Sequence, residues 1–539
     1  MEMCVQDSAP GMRAEVISVG NGEFMRRAVC TRDVAAGGVV FDCEPFSCML
    51  ASRARAHLCS HCFTAPNSSS SSSSSSKLLV CTRCSQARYC GKECQLADWQ
   101  GGHKHECKQS KALRDEGCSE GPLDDILLMQ RTYALTHGAK DDSPCSATAA
   151  GAIRCSAAHV QDLCVSGEAA SFTEELSVHT LAEAVRRVSV ALKQPQQQLL
   201  APLSRLYASF RCNNFAILNP LFQAVGAGVY PYAAILNHSC CPSVLLTYVL
   251  RPGRPPLLRG VALSSQSKGQ ELTHCYVDAS LPSSLRKALL QKDYGFACQC
   301  ACCLPASAAS AGASASVTEE ELLQRAADPL AVRDLLGALS PAQLAALQPT
   351  VDALQGAPGG DSGTATLCAE AAALLATATK ARERLGESGT AARDGAPQAL
   401  LACLQVIEEQ FSELVAACGP FHMTLYAHST ALFGDLLAET LLLQPLCSPD
   451  SDLYASFLAC KRLAISVCAH ICAYLTLTLR CFPFHPLLGL QLLTWGQLAQ
   501  QPVPLAWAVQ VLSRCNGEGE GGCLSEVLQE ARMELANLS

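Results

Sequence analysis

The chain has few aromatic and few charged side chains for its length. Of its 539 residues, 5% are aromatic and 16% are charged, and the formal net charge at pH 7 is −8. A core in such a chain has to be built mainly from Ala, Leu, Val and Cys. The lack of excess positive charge argues against a general nucleic-acid binder, which would present a strongly basic face. The length allows roughly three or four domains of about 150 residues.

The sequence also lacks a recognisable secretory start and a long apolar run. It opens MEMCVQDSAPGMRAEV, with no apolar segment behind a positively charged start. We therefore expect reduced thiols and a location in the cytoplasm and nucleus. Residues 463–479 are uncharged, but they fall short of the about 20 apolar residues that a membrane span needs. Their helical spacing predicts a buried core helix and no membrane partner.

Cysteine, by contrast, is abundant, with 33 residues. Eight potential metal ligands fall in four closely spaced pairs, which are Cys59-x2-Cys62, Cys81-x2-Cys84, Cys90-x3-Cys94 and His103-x3-Cys107. Eight ligands are the number that two closed tetrahedral zinc sites need, because each pair supplies half a tetrahedron from one short turn. A closed structural site has no open coordination position, so this block is expected to bind partners rather than to catalyse.

A second cluster follows in YGFACQCACCLP, where the thiols of Cys298, Cys300 and Cys303 have x and x2 spacing. Three thiolates leave a tetrahedral zinc one ligand short. Cys240, in the segment AAILNHSCCPSV, is the natural fourth ligand. Cys241 and Cys302 stay open as alternatives to their neighbours.

Patterns along the chain divide it into several regions. AEVISV and GVVFDCEPFSCML are predicted strands, and residues 120–200 are predicted to be mainly helical. The run Ser68–Ser76 cannot bury apolar surface, so residues 67–77 are expected to form a disordered loop. After the small-residue linker near 306–316 the pattern becomes helical. Thr318 with Glu321, and Ser340 with Gln343, are predicted capping boxes.

Several of these segments resemble known families. RYCGKECQLADWQGGHKHEC resembles the MYND zinc finger, and the "NHSC" and YGFACQCACC segments resemble the post-SET zinc site of SET-domain lysine methyltransferases. GNGEFMRRAVCTRDVAAGGVVFDCEPF, RCNNFAI and QELTHCYVD resemble further SET segments, in the family's order. GPFHMTL and FHPLLGLQLLTWGQL are similar to tetratricopeptide-like C-terminal helices. Together they resemble the SET-and-MYND (SMYD) family.

The resemblance implies an α+β fold, in which a β-rich SET domain is split by a MYND finger and a helical insert. It implies these regions: 11–50, the N-terminal part of SET; 59–107, the MYND finger; 120–205, the helical insert; 206–280, the core of SET; 281–304, the post-SET zinc knuckle; and 317–539, an all-α tetratricopeptide-like domain. It also implies interleaved zinc ligands in the finger. Cys59, Cys62, Cys90 and Cys94 would hold one zinc, and Cys81, Cys84, His103 and Cys107 the other. With the knuckle, three Zn²⁺ ions are expected.

By the same resemblance, S-adenosylmethionine is the expected cofactor, and Tyr276 places its hydroxyl at the transfer site. Tyr294 would line the lysine channel. The expected cofactor-binding residues are Gly20, Asn21, Gly22, Asn213, Asn237, His238 and Phe296. The chain departs from the usual family pattern at His274-Cys275, where apolar and small residues precede the tyrosine.

The function that follows is protein-lysine N-methylation of histone or non-histone substrates, with chromatin among the settings. The alternative is a non-catalytic adaptor, in which the finger and the C-terminal helices recruit partners and the SET fold is a scaffold. A proline-containing peptide is a possible partner of the finger, and no strong nucleic-acid signal is present.

Overall fold

The computed structural model of the chain describes residues 12–20, 23–66, 77–115, 120–138, 146–148, 152–163, 175–303, 317–356, 367, 369–517, 522 and 524–538. Except for Lys77, the expected disordered loop at 67–77 lies outside the described residues. The chain divides into two compact units. The first takes the described parts of Met1–Tyr276 with Leu290–Ala297 and Arg514–Val527, and the second takes those of Val277–Leu289, Cys298–Ser513 and Leu528–Ser539.

The first unit holds the strands of the described chain. They are β1 (Met12–Gly20), β2 (Glu23–Cys30), β3 (Val39–Cys43), β4 (Ser47–Leu50), β5 (Leu79–Val80), β6 (Arg88–Tyr89), β7 (Ser146–Ala147), β8 (Ile153–Arg154), β9 (Asn214–Leu218), β10 (Ala224–Val229), β11 (Asn237–His238), β12 (Val244–Val249), β13 (Leu257–Ala262) and β14 (Glu271–His274). Strands β1, β3 and β4 confirm the strands predicted from AEVISV and GVVFDCEPFSCML.

Four small sheets result, with strand orders β1-β2-β14-β11, β4-β10-β9, β12-β13-β3-β8-β7 and β5-β6. The β11–β14 pair is parallel, with Asn237 opposite Thr273 and His238 opposite His274. This pairing brings the "NHSC" segment beside the strand that leads to Tyr276. It therefore sets the geometry of the candidate site.

The sheets enclose a core of buried apolar residues from β3, β4, β9, β12 and β13. Strands β12 and β13 are buried almost throughout, and the charged residue within them, Arg259, pairs with Asp42 of β3 at 2.7 Å. Strands β13 and β3 pair in antiparallel fashion, and Gly260 of β13 lies opposite Phe41 of β3. A Cβ atom at Gly260 would lie 2.5 Å from Phe41 Cε1, so only glycine permits this packing.

The helices before the second unit are α1 (Lys92–Asp98), α2 (Lys104–Asp115), α3 (Glu120–Gly138), α4 (Ala157–Gln161), α5 (Glu175–Leu192) and α6 (Gln196–Asn213). Helix α3 packs against α5 and α6 around a second apolar core. The predicted helical character of 120–200 is seen in α3, α4 and α5. Strands β7 and β8, which the pattern did not indicate, also lie there.

The remaining helices are α7 (Ser283–Tyr294), α8 (Glu319–Arg325), α9 (Pro329–Gly337), α10 (Pro341–Ala346), α11 (Gln348–Leu354), α12 (Ala369–Glu383), α13 (Leu385–Arg393), α14 (Pro397–Cys418), α15 (Met423–Leu443), α16 (Tyr454–Thr478), α17 (Pro486–Ala499), α18 (Pro502–Asn516) and α19 (Ser525–Leu538). The capping boxes predicted at Thr318 and Ser340 are confirmed. His422 and His485 are the N-caps of α15 and α17, and each accepts a backbone N–H from the residue two positions on through Nδ1.

Helix α16 covers the apolar segment at 463–479. Within the described residues it is long and apolar enough to cross a membrane, and 61% of its most apolar stretch is buried inside the protein. It packs against α9, α14, α15 and α17. These contacts favour the core helix that the sequence predicts.

Candidate active site and metal centres

The first candidate metal centre is built from the loop before β5, the residue after β6, and helix α1. It comprises Cys59, Cys62, Cys90 and Cys94, whose Sγ atoms all lie within 4.8 Å of one another. Cys90 Sγ is 3.7 Å from Cys59 Sγ and 3.8 Å from Cys62 Sγ. Zn–S bonds of about 2.3 Å arranged as a tetrahedron separate sulfurs by about 3.8 Å. The donor set therefore fits zinc.

The second centre comprises Cys81, Cys84, His103 and Cys107, which are all buried and within the same 4.8 Å limit. His103 Nε2 lies 3.7 Å from Cys84 Sγ, and the sulfurs of Cys81 and Cys107 are 3.8 Å apart. Hydrogen bonding between the Cys84 and Cys107 thiols lowers the pKa of Cys84 and raises that of Cys107, so the two thiols share a proton when no metal ion is bound. A metal ion binds the thiolate form.

The third candidate centre is the knuckle, whose predicted ligands are divided between the two units. Cys240 lies in the first unit, and Cys298, Cys300 and Cys303 lie in the second. The eight predicted ligands of the first two centres fall into the two predicted sets.

Aromatic rings surround Tyr276 at the candidate active site. Six rings form this cluster, and they belong to Phe215, His238, His274, Tyr276, Tyr294 and Phe296. The ring centroid of Tyr276 lies 4.7 Å from that of His274, 4.8 Å from that of Tyr294 and 5.3 Å from that of His238. The described chain thus brings distant segments together around one tyrosine.

The end of α7 delivers two of these rings. Tyr294 is the last residue of the helix, and Gly295 follows with φ of 75°. This left-handed conformation strains a residue with a Cβ atom, and glycine adopts it readily. The turn at Gly295 lets Phe296 join the cluster, 6.0 Å from the His238 ring and 6.3 Å from the Tyr276 ring.

The loop that carries "NHSC" fixes Tyr276. The Tyr276 hydroxyl donates a hydrogen bond to the Leu236 carbonyl oxygen at 2.6 Å, and its backbone N–H donates to His238 Nδ1 at 3.0 Å. Because Nδ1 accepts this bond, the neutral imidazole carries its proton on Nε2, which lies 3.4 Å from Cys240 Sγ. His238 thus connects a metal-ligand cysteine to the tyrosine.

Burial keeps the site uncharged. Desolvation, and then the nearby imidazole of His238, lowers the pKa of His274 to about 3. Burial, and then the Asp293 carboxylate, raises the pKa of Tyr294 to about 12. Near neutral pH both side chains are therefore neutral.

The remaining predicted cofactor residues are less closely grouped. The Asn237 amide donates to the Arg26 carbonyl oxygen at 3.1 Å and to Glu271 Oε1 at 2.9 Å, so it joins strands of the sheet. Asn213 ends α6 and donates to the Ser209 carbonyl oxygen. Gly20 ends β1, and Asn21 and Gly22 lie outside the described residues.

Two rings of the cluster had no role in the sequence interpretation. Phe215 follows the asparagine pair of RCNN, and its ring centroid lies 5.9 Å from that of His274. The only signal for His274 was its departure from the apolar residue usual before the tyrosine. Both rings depend on long-range strand pairing, which a local pattern does not reveal.

Comparisons with known proteins agree with parts of this picture. The MYND finger family model matches residues 59–107. N-lysine methyltransferase SMYD2 of Mus musculus is 28% identical over 283 residues, which are 52% of this chain and 58% of the relative. Histone-lysine N-methyltransferase SMYD3 of Homo sapiens is 27% identical over 279 residues, 49% of this chain and 55% of the relative. The chain thus spans less than two thirds of the length of these relatives.

A solved structure, the SET domain of LSMT bound to lysine and AdoHcy, is 12% identical and aligns over 83% of this chain and 94% of that one. Its TM-score of 0.28 is too low to support an argument. The α+β architecture rests instead on the sheets, the finger and the C-terminal helices described above. The chain therefore carries a MYND finger at residues 59–107, and over about half of its length it is similar to the lysine methyltransferases SMYD2 and SMYD3.

Proposed function

We propose that this protein is an S-adenosylmethionine-dependent protein-lysine N-methyltransferase whose active centre is the ring cluster around Tyr276. The observation that carries the proposal is the fixed position of Tyr276 among neutral aromatic rings. Relatives named as lysine methyltransferases support the same reaction.

The rings would prepare the lysine for transfer. An amine attacks only after losing its proton, and a site from which water is excluded lowers the pKa of the ammonium. Tyr276 and Tyr294 offer π faces 4.8 Å apart, centroid to centroid, which attract the cationic form on entry. The neutral His274 adds no positive charge that would repel it.

The Tyr276 hydroxyl would orient the amine. It donates its proton to the Leu236 carbonyl oxygen, and a hydroxyl oxygen can accept an N–H as well as donate. The second bond, from the Tyr276 backbone to His238, holds this residue from another direction. Positioning of this kind supplies much of the acceleration of an in-line displacement.

The residues near the cluster fit S-adenosylmethionine. When bound, it supplies the methyl group from its sulfonium. Phe296 offers an apolar ring for the adenine, and Asn237 and His238 offer the edge of the β11 loop. At the start of β9, Asn214 Oδ1 is buried with no hydrogen-bond partner among the described residues, as a ligand-binding acceptor would be. Asn213, Gly20, Asn21 and Gly22 complete the proposed cofactor set.

Zinc at the three cysteine-rich centres is proposed to be structural. In the knuckle, the N–H of His238 Nε2 faces Cys240 Sγ, so the ligand is linked to the site through one ring. The regions predicted from sequence, the cytoplasmic and nuclear location, the histone or non-histone substrates and the proline-containing partner of the finger remain part of this proposal.

Transfer of label from radioactive S-adenosylmethionine to a demethylated cell extract tests the proposal. Tyr276→Phe should lose most of the label. Tyr230→Phe is a matched control, because its buried hydroxyl also donates to a carbonyl oxygen, that of Pro256 at 3.0 Å, while its ring contacts only the edge of the cluster, at Phe215, with centroids 6.0 Å apart. The control should keep the label.

Three results would count against the proposal. Equal label with wild type and Tyr276→Phe would remove the tyrosine from the mechanism. Equal losses in both variants would indicate general damage to the fold. No label from a wild-type protein with full zinc content would favour the adaptor function.

A further inference from the structure

Behind the second MYND centre lies a group of charged residues with almost no exposure to solvent. Asp98, Glu106 and Arg131 are 3%, 2% and 6% exposed. Asp98 and Glu106 belong to the finger, whereas Arg131 lies in α3 outside it. Burying ions costs several kcal/mol each unless they are paired, and the ion pairs among these three residues offset part of that cost. Glu106 Oε2 and Arg131 Nε are buried with no hydrogen-bond partner among the described residues.

Glu106 contacts a zinc ligand directly. His103 points Nε2 towards Cys84 Sγ at 3.7 Å and Nδ1 towards Glu106 Oε1 at 3.1 Å. An N–H on Nδ1 donating to the carboxylate leaves the Nε2 lone pair for the metal. Partners of this kind fix the tautomer and the ring orientation of a ligating histidine.

Arg131 joins the same carboxylate to the rest of the first unit. Its Nη2 donates to Glu106 Oε1 at 2.5 Å, and its Nη1 lies 3.1 Å from Asp98 Oδ1. Nη1 also donates to the Cys48 carbonyl oxygen on β4 at 2.8 Å. One guanidinium therefore holds two carboxylates of the finger and one strand of the sheet.

The backbone of the finger packs closely against the aliphatic part of the Arg131 side chain. Gly102 has φ of 138°, and a Cβ atom there would lie 2.6 Å from Arg131 Cγ. On the other side, the Asp98 carboxylate accepts a hydrogen bond from the buried Tyr89 hydroxyl at 2.8 Å. The arginine is thus enclosed by the finger and cannot move without disturbing the second centre.

We propose that Glu106 and Arg131 couple zinc binding at the second MYND centre to the packing of α3 and β4, so that the finger and the sheet are stabilised together. Loss of the metal releases His103 and weakens the grip of Glu106 on Arg131. The arginine then loses part of the compensation for its buried charge. Because α3 carries this arginine, the helix loosens when the centre empties. This coupling does not depend on methyl transfer.

Stepwise removal of zinc from the intact protein tests the coupling. Native mass spectrometry counts the zinc ions against chelator concentration. Hydrogen exchange on the same samples identifies the emptied centre, since peptides around Cys59 report the first and peptides around His103 report the second. We expect exchange in α3 to rise when the second centre empties, and not when only the first does.

Glu106→Gln is the key variant, because it keeps size and removes charge. We expect the second centre to lose zinc affinity by roughly 10- to 100-fold, as other partners of ligating histidines do, with the first centre unchanged. Glu93→Gln is the matched control: Glu93 is an exposed carboxylate between two ligands of the first centre, Cys90 and Cys94. It should release zinc as wild type does.

Cobalt substitution supplies a spectroscopic readout of the ligand geometry. If Glu106 had only a structural role away from the metal, its replacement would leave this spectrum unchanged. Co²⁺ exchanged into the second centre should show shifted d–d absorption in Glu106→Gln but not in Glu93→Gln, because only the former changes the ligating imidazole. Arg131→Lys keeps the charge but loses the planar fork. In this variant, exchange in α3 should respond less to zinc loss.

Two results would each overturn the proposal. One is equal zinc release and equal cobalt spectra for Glu106→Gln and Glu93→Gln. The other is a helix α3 that stays protected in wild type after the second centre has lost its zinc.

Discussion

Replacing His470 by leucine should raise the acid stability of the second unit. His470 lies in α16, where it is 9% exposed, and its Nε2 has no hydrogen-bond partner among the described residues. Its ring meets Phe411 edge to face, with centroids 5.7 Å apart. Burial lowers its pKa from 6.5 to about 4. The folded protein therefore binds a proton at His470 only near pH 4, whereas the unfolded chain binds it near pH 6.5.

The size of the effect follows from these two values. Between about pH 6.5 and pH 4 the unfolded chain binds more protons at this position, so stability falls as the pH drops through that window. At pH 5 the penalty relative to pH 7 is about 2 kcal/mol. At pH 7 the leucine variant should be at least as stable as wild type, because a buried nitrogen without a partner costs about 1–3 kcal/mol.

Urea unfolding followed by tryptophan fluorescence measures this difference. Two of the three tryptophans, Trp495 and Trp507, lie in the second unit and are buried. The loss of stability between pH 7 and pH 5 should be about 2 kcal/mol smaller in His470→Leu than in wild type. His179→Leu, at an exposed histidine of α5, controls for the loss of an imidazole. An equal pH dependence in His470→Leu and wild type would refute the reasoning.

Two further predictions concern helical glycines and the pH profile of transfer. Gly434→Ala in α15 meets nothing within 4 Å, so it should stabilise the second unit by about 0.5–1 kcal/mol in the same urea assay. Gly389→Ala would place its Cβ 2.3 Å from Glu439 Oε1, so it should destabilise that unit by about 1–3 kcal/mol; a gain in stability would contradict this packing. Burial raises the pKa of Tyr294 to about 12, so Tyr294→Phe should leave the midpoint of the pH–rate profile of methyl transfer unchanged below pH 10. A shifted midpoint would show that its hydroxyl titrates during transfer.

The metal sets could be predicted from sequence because most of their geometry is local. A C-x2-C pair places two sulfurs on one turn wherever it occurs, whereas the interleaved combination of the pairs was implied by the resemblance to the MYND finger. Cys240 was harder, since it lies far along the chain from Cys298. It was predicted because a three-cysteine cluster needs a fourth ligand and because the "NHSC" segment resembles the post-SET motif.

The charged cluster could not be predicted in this way. An arginine at position 131 of a helical segment looks like an ordinary solvent-facing residue, and nothing near it in sequence marks its partners. Its carboxylates lie 25 and 33 positions earlier, across a helix boundary. Only the packing of α3 against the finger shows that the charge is buried. Strand β8 could not be predicted for the same reason, because its partners lie far away in the sequence. Its Arg154 pairs with Glu44 at 2.6 Å.

The segment Leu236–Cys240 explains why a cysteine ligand stands beside the tyrosine of the candidate site. Along five residues the chain presents a carbonyl oxygen to the Tyr276 hydroxyl, an imidazole to the Tyr276 backbone and a thiol to the knuckle. His238 uses Nδ1 and Nε2 on opposite sides of its ring, so rotation of the ring would break both contacts. Because β11 also pairs with β14, the loop has little freedom to shift. Zinc at the knuckle would therefore act on Tyr276 through one imidazole, which would make His238 a positioning residue in the proposed mechanism.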